Sequence, residues 1–472
     1  MPFGVPRLKK ALNCFFVGIL FGVLLSCNNY NNNNPYNPYN GSPPPLSSIT
    51  FRAYVSNPIQ PSGVGGTPVL DIVDAASDIL SPYTVTLASL SAFIADPGMM
   101  ALSPKRDRTL VSSAADGKIA IVNNSQNSVA SAVILPGATE SFFVWSDNKT
   151  AFAAIPSAST PGQSPGAVER IDLPTATITA TIPIPGAHYI VPSPDGSAIL
   201  VFSDDSDAVT LLRPVLIGAN TQANAQVPCS STQMAACTIP GTFDRPAGAV
   251  FNGSSTTAYI LNCGQQCGGV GDGPCLTFSS CTTVSGLDMT QSPPALISSV
   301  ALPAATTGLI QGTTLYVAGT PVAAADNNCA GVTTAATSCG RLTMIDVASM
   351  TAVEPVVITD GYHDRIQMAS NARLFIGSRG CTNINTSGEV RGCLTIVNTS
   401  SGSISSSSVI APPDNGDVTG IEPIPNRTVV YVCEGGNLRV YETTTDKLEV
   451  FQQPATGPNV TGQAIDVRVV DF

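Results

Sequence analysis

The chain has 472 residues, of which 43% are hydrophobic and 11% charged, and its formal net charge is −11. That length can bury a core of good size, whereas an acidic chain with no basic cluster excludes a nucleic-acid footprint. Serine, threonine, asparagine, glycine and proline supply much of the polar remainder and no long stretch carries an amphipathic helical period, so an all-β, turn-rich architecture is expected.

Arg7, Lys9 and Lys10 precede an apolar run, Ala11–Leu25, that is too short to span a bilayer comfortably. The run ends in Leu24-Leu25-Ser26-Cys27. This resembles the bacterial lipobox, in which a small residue precedes a cysteine that is lipidated and becomes the new N-terminus; Leu25 departs from the usual residue at its place. The resemblance implies a signal peptide over 1–26 and lipidation of Cys27, so that the chain meets the membrane through its lipid anchor. An ordinary secretory signal cut nearby is the competing reading. Residues 27–48 are rich in Asn, Tyr and Pro and read as a tether, which at roughly 3.1 Å per residue would reach on the order of 60 Å. No aspartate follows Cys27 to signal inner-membrane retention, so the outer membrane is expected, facing the periplasm or the cell surface.

From residue 49 to 472 a four-strand unit recurs. Its clearest copy, Ala101–Gly137, contains the turns Ser103-Pro104-Lys105-Arg106-Asp107 and Asp116-Gly117 between short strands. The predicted third strands are Val69–Ala75, Lys118–Asn123, Ala167–Leu173, Asp207–Pro214, Thr283–Met289, Arg341–Val347, Cys393–Asn398 and Asn437–Glu442. Most alternate apolar and polar residues, as a strand buried on one face does. Second strands rhyme as Ala53-Tyr54-Val55-Ser56, Leu315-Tyr316-Val317-Ala318 and Val430-Tyr431-Val432-Cys433. Four short strands repeated at about forty residues indicate a β-propeller. Eight four-stranded blades are predicted; seven is the alternative if the irregular stretch 215–242 misleads the count. The first unit lacks a first strand, so Ala464–Val470 is expected to pair inside blade 1 and close the ring, removing exposed sheet edges. The Tyr-Val second strands, Ser193-Pro194-Asp195-Gly196 and the Ile345-Asp346-Val347 third strand resemble bacterial YVTN-type propeller repeats. That group holds extracytoplasmic and surface proteins without a shared reaction, so the resemblance implies a fold and little chemistry.

Of 13 cysteines, ten fall in local clusters: Cys229 with Cys237; Cys263, Cys267, Cys275 and Cys281; Cys329 with Cys339; Cys381 with Cys393. In an exported protein they read as disulfides, with three pairings open to the cluster of four. Zinc is the competing reading of Cys263-x-x-x-Cys267, and no metal is assigned. Cys433 reads as a buried small apolar residue. Three clusters lie between second and third strands, whose connections share a face with those joining consecutive blades. One face therefore carries long, stapled loops, where binding usually resides.

The two histidines, His188 and His363, each sit just before a predicted first strand, near the channel rim. With Asp244, Arg245, Asp364 and Arg365, and with Glu140 and Asp417 at related positions, they are expected to ring the channel mouth and orient an anionic or polar ligand. Asp204, Asp205 and Asp207 read as a turn rather than a calcium loop. No cofactor is implied. The function expected is that of a monomeric binding or scaffolding module for a protein or glycan. The alternative is a lactonase-like hydrolase at the channel mouth, which is an analogy of fold alone and needs His188, Arg245, His363, Asp364 and Arg365 to converge.

Overall fold

The computed structural model describes residues 49–471 apart from 59–67, 88–93, 114, 219–222, 270–281, 322–338, 354, 382–392, 403, 406–407, 411–415, 449–459 and 461–462. The chain divides into Met1–Pro43 and Pro44–Phe472. The signal segment, the tether with Cys27, and Cys275, Cys281 and Cys329 lie outside the described residues.

Eight antiparallel sheets follow one another along the chain, the eight blades of a β-propeller. The first, channel-side strands of blades 2 to 8 are Pro97–Leu102, Ser141–Val144, Ala187–Pro192, Pro246–Phe251, Thr307–Gln311, Tyr362–Ala369 and Val418–Pro423. In blade 6 the outermost strand is split into Thr351–Ala352 and Val356–Ile358, both paired to the third strand. In blade 4 the stretch after the third strand holds a fourth strand, Ala236–Thr238, and the disulfide Cys229–Cys237.

The ring closes as the repeat pattern predicts. Val467–Val469 pairs with Arg52–Asn57 as the first strand of blade 1, with Tyr54 opposite Arg468. Arg52 fixes the closure: its Nε donates to Asp471 Oδ2 at 2.6 Å and its Nη1 to the Asn124 carbonyl of blade 2 at 2.7 Å.

The third strands fall where the repeat places them, but the one-sided burial expected of them is wrong. Val69–Asp74, for example, is buried at five successive positions. The reason is the packing of the blades. Eight apolar clusters occur among the described residues, each between two successive blades. Alternate residues of a middle strand serve opposite neighbours: Leu110 packs with Ala151 of blade 3, and Val111 with Tyr54 and Leu70 of blade 1. A strand covered on both faces needs no polar side.

In most blades the third and fourth strands are joined by short turns that repeat one device. In five blades the residue before the fourth strand has positive φ: Asp78, Asn127, Ala176, Met350 and Asp446. The third strand before it ends in a side chain that caps the turn, as Asp74 accepts from Ala76 N at 3.1 Å and Asp346 from Ala348 N at 3.0 Å. These turns also join blades. Asp78 receives both Arg427 Nη atoms at 2.6 Å and the Tyr431 hydroxyl at 2.5 Å.

Candidate functional site

The first strands of five blades carry a register shift near their start. It lies between Pro97 and Met100, Ala187 and Tyr189, Pro246 and Gly248, His363 and Arg365, and Val418 and Gly420. Such a bulge sets two residues against one and re-aims side chains that strict alternation would send elsewhere. In blade 7 the extra residue is Asp364, so Asp364 and Arg365 both line the channel while His363 turns into the blade and is fully buried. The room beside Arg365 depends on Gly377 in the neighbouring strand, where a Cβ would lie 2.4 Å from Val418 Cγ1 and 3.2 Å from Arg365 Cβ.

The channel holds a cavity of about 260 Å³. Glu140 and Tyr189 line it from blades 3 and 4, and Tyr362, Asp364, Arg365 and Arg379 from blade 7. These residues sit at the entry ends of first strands or, for Arg379, at the exit end of a second strand, so the cavity lies toward the face from which the long connections leave. Arg365 crosses the channel: its Nε donates to the Thr419 carbonyl at 2.8 Å, its Nη1 to the Asp364 carbonyl at 3.0 Å, and its Nη2 reaches Met99 Sδ of blade 2 at 3.0 Å. The Asp364 carboxylate lies between two guanidinium groups, 3.3 Å from Arg365 Nη1 and in contact with Arg379 Nη2. Arg379 Nε is buried and has no hydrogen-bond partner of its own.

His188 sits beside this cavity. Its Nδ1 is 2.7 Å from Asp204 Oδ1 and its Nε2 4.0 Å from Glu140 Oε2, and its ring stacks on Tyr189 with centroids 4.0 Å apart. Burial alone would pull the imidazole pKa down, but the two carboxylates outweigh it and the value is raised. The same contact with His188, helped by Arg379, holds Glu140 below the usual glutamate range. Burial raises the phenols of Tyr189 and Tyr362, which therefore stay protonated.

Across the channel a second charged cluster closes the wall of blades 8, 1 and 2. Arg468 pairs with Asp466 and Glu422, each at 3.4 Å. Asp466 also accepts from Met100 N at 2.8 Å and Val467 N at 2.9 Å, and Glu422 from Val469 N at 3.1 Å. Asp466 is the main cause of the raised Arg468 pKa.

Of the six residues expected at the mouth, Asp364 and Arg365 line the cavity and His188 borders it through Glu140 and Tyr189. Arg245 instead faces a rim pair, 3.6 Å from Asp205 and 3.8 Å from Asp207, and Asp244 adjoins it in the chain. His363 is sealed, its Nε2 3.0 Å from the Thr359 carbonyl, and burial lowers its pKa to about 4. Asp417 accepts from Gly380 N at 2.8 Å and ties blade 8 to blade 7. The five-residue convergence needed for hydrolysis is therefore absent. Tyr189, Tyr362 and Arg379 were not among the expected site residues. Arg379 ends the second strand beside the bulge, a place that blade alignment marks only once the bulge is known.

Disulfides join Cys229 to Cys237, Cys263 to Cys267 and Cys381 to Cys393. Cys339 is also disulfide-bonded. The bond between Cys263 and Cys267 removes the zinc reading of that pair. Cys433 is free and buried, as expected.

No family model and no curated protein matches the chain. Solved structures share its fold. The dihydro-heme d1 dehydrogenase NirN, in complex with DHE, is 12% identical over 89% of this chain and 75% of that one, with a TM-score of 0.58. Hydrazine synthase of Kuenenia stuttgartiensis is 11% identical over 78% of this chain and 98% of that one, with a TM-score of 0.50. The periplasmic gluconolactonase PpgL of Pseudomonas aeruginosa is 12% identical over 89% and 98%, with a TM-score of 0.45. At these identities the likeness is one of fold.

Proposed function

We propose that this protein is an exported, lipid-anchored propeller of the YVTN-repeat kind that acts as a binding module, holding a small polar end-group of a protein or glycan partner in its axial cavity. The observation that carries the reading is the cavity of about 260 Å³, lined by Glu140, Asp364, Arg365, Arg379 and two tyrosines. Concave sites with a few convergent polar groups are where ligands are held. The disulfides support an oxidising compartment, and Leu24-Leu25-Ser26-Cys27 supports the anchor. The Cys263–Cys267 and Cys381–Cys393 bonds begin just past the exit ends of second strands, the end of the blades toward which the cavity lies.

A thermal-shift screen tests this, using the mature full-length chain against small polar molecules of neutral, acidic and basic classes. The expected result is a stabilising class whose effect disappears in Arg379→Gln. If no class stabilises the protein, or if the shift is identical in the variant, the axial cavity is not a binding site.

A further inference from the structure

Blade 5 carries a glycine on the cavity wall, Gly248, that the fold does not require. At the residue where pairing resumes after the first-strand bulge, blades 2, 4 and 7 carry Met100, Tyr189 and Arg365, and blades 5 and 8 carry Gly248 and Gly420. The bulge therefore accepts large side chains at this position. In blade 8 packing explains the glycine, because a Cβ on Gly420 would lie 3.0 Å from Asp466 Oδ1 and 3.1 Å from Asp466 Cα. A Cβ on Gly248 would meet nothing within 4 Å, and the φ of Gly248 is not positive. Neither crowding nor backbone conformation selects this glycine, although glycine weakens a strand. The remaining reason for one is the close approach of a ligand or of another backbone.

The backbone on either side of Gly248 is open as well. Each first strand is the inner edge of its sheet, so the N–H and C=O groups that it turns toward the channel have no strand to pair with. In other blades side chains answer these groups. Ile190 N donates to Ser141 Oγ at 2.9 Å, the Thr419 carbonyl accepts from Arg365 Nε at 2.8 Å, and the Asp364 carbonyl accepts from Arg365 Nη1 at 3.0 Å. Their equivalents in blade 5 are the Ala249 N–H and the Ala247 carbonyl. Among the described residues no side chain reaches either of them. A C=O and an N–H two residues apart on one edge are what an added strand pairs with, and the added chain would pass opposite Gly248.

Charge elsewhere on the cavity wall sets which end of a chain enters. The Glu140 side chain is 52% exposed, and His188 Nε2 stands 4.0 Å from its carboxylate, beyond hydrogen-bond reach. The Arg365 and Arg379 guanidinium groups are already engaged by Asp364. An entering ammonium group thus meets a reachable carboxylate, whereas an entering carboxylate meets guanidinium groups that are already paired. We propose that the axial cavity receives the free amino terminus of an extended peptide, with its ammonium group at Glu140 and its first residues paired to the inner edge of blade 5 across Gly248. This rests on the axial-binding reading above and names the end-group. Ala247–Ala249 covers about 7 Å at roughly 3.3 Å per residue, so about two or three terminal residues are held.

Calorimetric titration of the mature full-length chain tests the proposal. The probes are tripeptide amides of glycine, alanine and serine with a free amino terminus, the same peptides N-acetylated, and the same peptides N-methylated at one internal backbone nitrogen at a time. The methyl glycoside of N-acetylglucosamine serves as an amide-bearing sugar. At least one free-amine peptide binds, and acetylation, or methylation of one internal nitrogen, weakens it about ten-fold or more. Gly248→Val weakens it by a similar factor while the urea midpoint stays level or rises, because the added side chain meets open space in a strand. Glu140→Gln lowers the free-amine peptide to the affinity of its acetylated form. Should Gly248→Val fail to fold, Glu140→Gln carries the test, because that side chain is 52% exposed. Equal binding of free and acetylated peptides, tolerance of a methyl group at every internal nitrogen, or binding unchanged in both variants overturns the inference. Binding of the sugar alone, or a positive thermal-shift screen with no peptide bound, overturns it and leaves axial binding standing. If no probe binds and the screen is also empty, both readings fall.

Discussion

The two sides of the channel are built from the same materials and finished differently. On one side Arg468, Asp466 and Glu422 form a cluster whose carboxylates also accept backbone N–H groups. On the other, Arg365, Arg379 and Asp364 form a cluster of similar make-up in which the carboxylate is held by guanidinium groups alone, with no backbone N–H recorded on it, and Arg379 Nε lacks a partner. A buried charge pair is tolerated when its remaining lone pairs and protons are satisfied. The first cluster meets that condition and reads as structure. The second does not, and it is the one that lines the cavity. Charge alone therefore does not mark the site in this channel; its place on the cavity wall does.

The most severe way to break this comparison is Asp466→Ala. It would leave Arg468, whose side chain is 23% exposed, without its main counter-charge and would free two backbone N–H groups beside the buried position of Asp466. The expected loss is about 3–5 kcal/mol of unfolding free energy, read by urea denaturation. A loss below about 1 kcal/mol would mean that the sealed wall is no more structural than the open one.

The two histidines carry the comparison into pH. His363 is sealed, with its folded pKa lowered to about 4 from 6.5. Between those values the unfolded chain takes up a proton that the folded chain refuses. Stability is therefore complete above pH 6.5 and falls as the pH drops toward 4, by roughly 3 kcal/mol over the interval. Denaturation midpoints measured from pH 4 to 7 should show this slope in the wild type and lack it in His363→Gln. An equal slope in both would place the imidazole in contact with solvent.

Arg379→Gln sharpens the comparison from the open side. With its side chain 39% exposed, its removal should change stability by no more than about 1 kcal/mol, while ligand binding falls as described above. A stability loss as large as that of Asp466→Ala would show the open cluster to be a second structural wall.

These contrasts were unevenly legible in the sequence. The eight third strands and the closing strand could be read because a repeat exposes its own period, and Ala464–Val470 had no other unit to join. The two-sided burial of Val69–Asp74 was not legible, since blade-to-blade packing is set by neighbours distant in the chain. The site was half legible. Asp364 and Arg365 were found by composition at a blade entrance. His363 was placed with them because a period of two is blind to a bulge, and one extra residue sends His363 inward and Asp364 outward. Arg379 lies fifteen positions beyond Asp364 and is brought beside it only by strand pairing.

The smallest effect concerns His188, on the open side, and it has the opposite sign to that of His363. Its pKa is raised by Glu140 and Asp204 against the pull of burial. The stability it contributes is thus fully present below its ordinary value of 6.5 and is lost as the pH rises through the higher folded value. Glu140, held low by the same contact, contributes above its ordinary value of 4.5 and loses that contribution as the pH falls through its folded value. The pair is therefore most stabilising between the two ordinary values. Tyr189, Arg379, Arg365 and Asp364 also face this wall, and Tyr189 stacks on the imidazole ring. Because Glu140 and Asp204 are each 52% exposed, solvent screening limits the effect to no more than about 1 kcal/mol. The melting-temperature difference between wild type and His188→Gln should be greatest near pH 5.5 and shrink toward pH 8. A difference that stays constant with pH would show that the imidazole acts by stacking on Tyr189 rather than as a charge between two carboxylates.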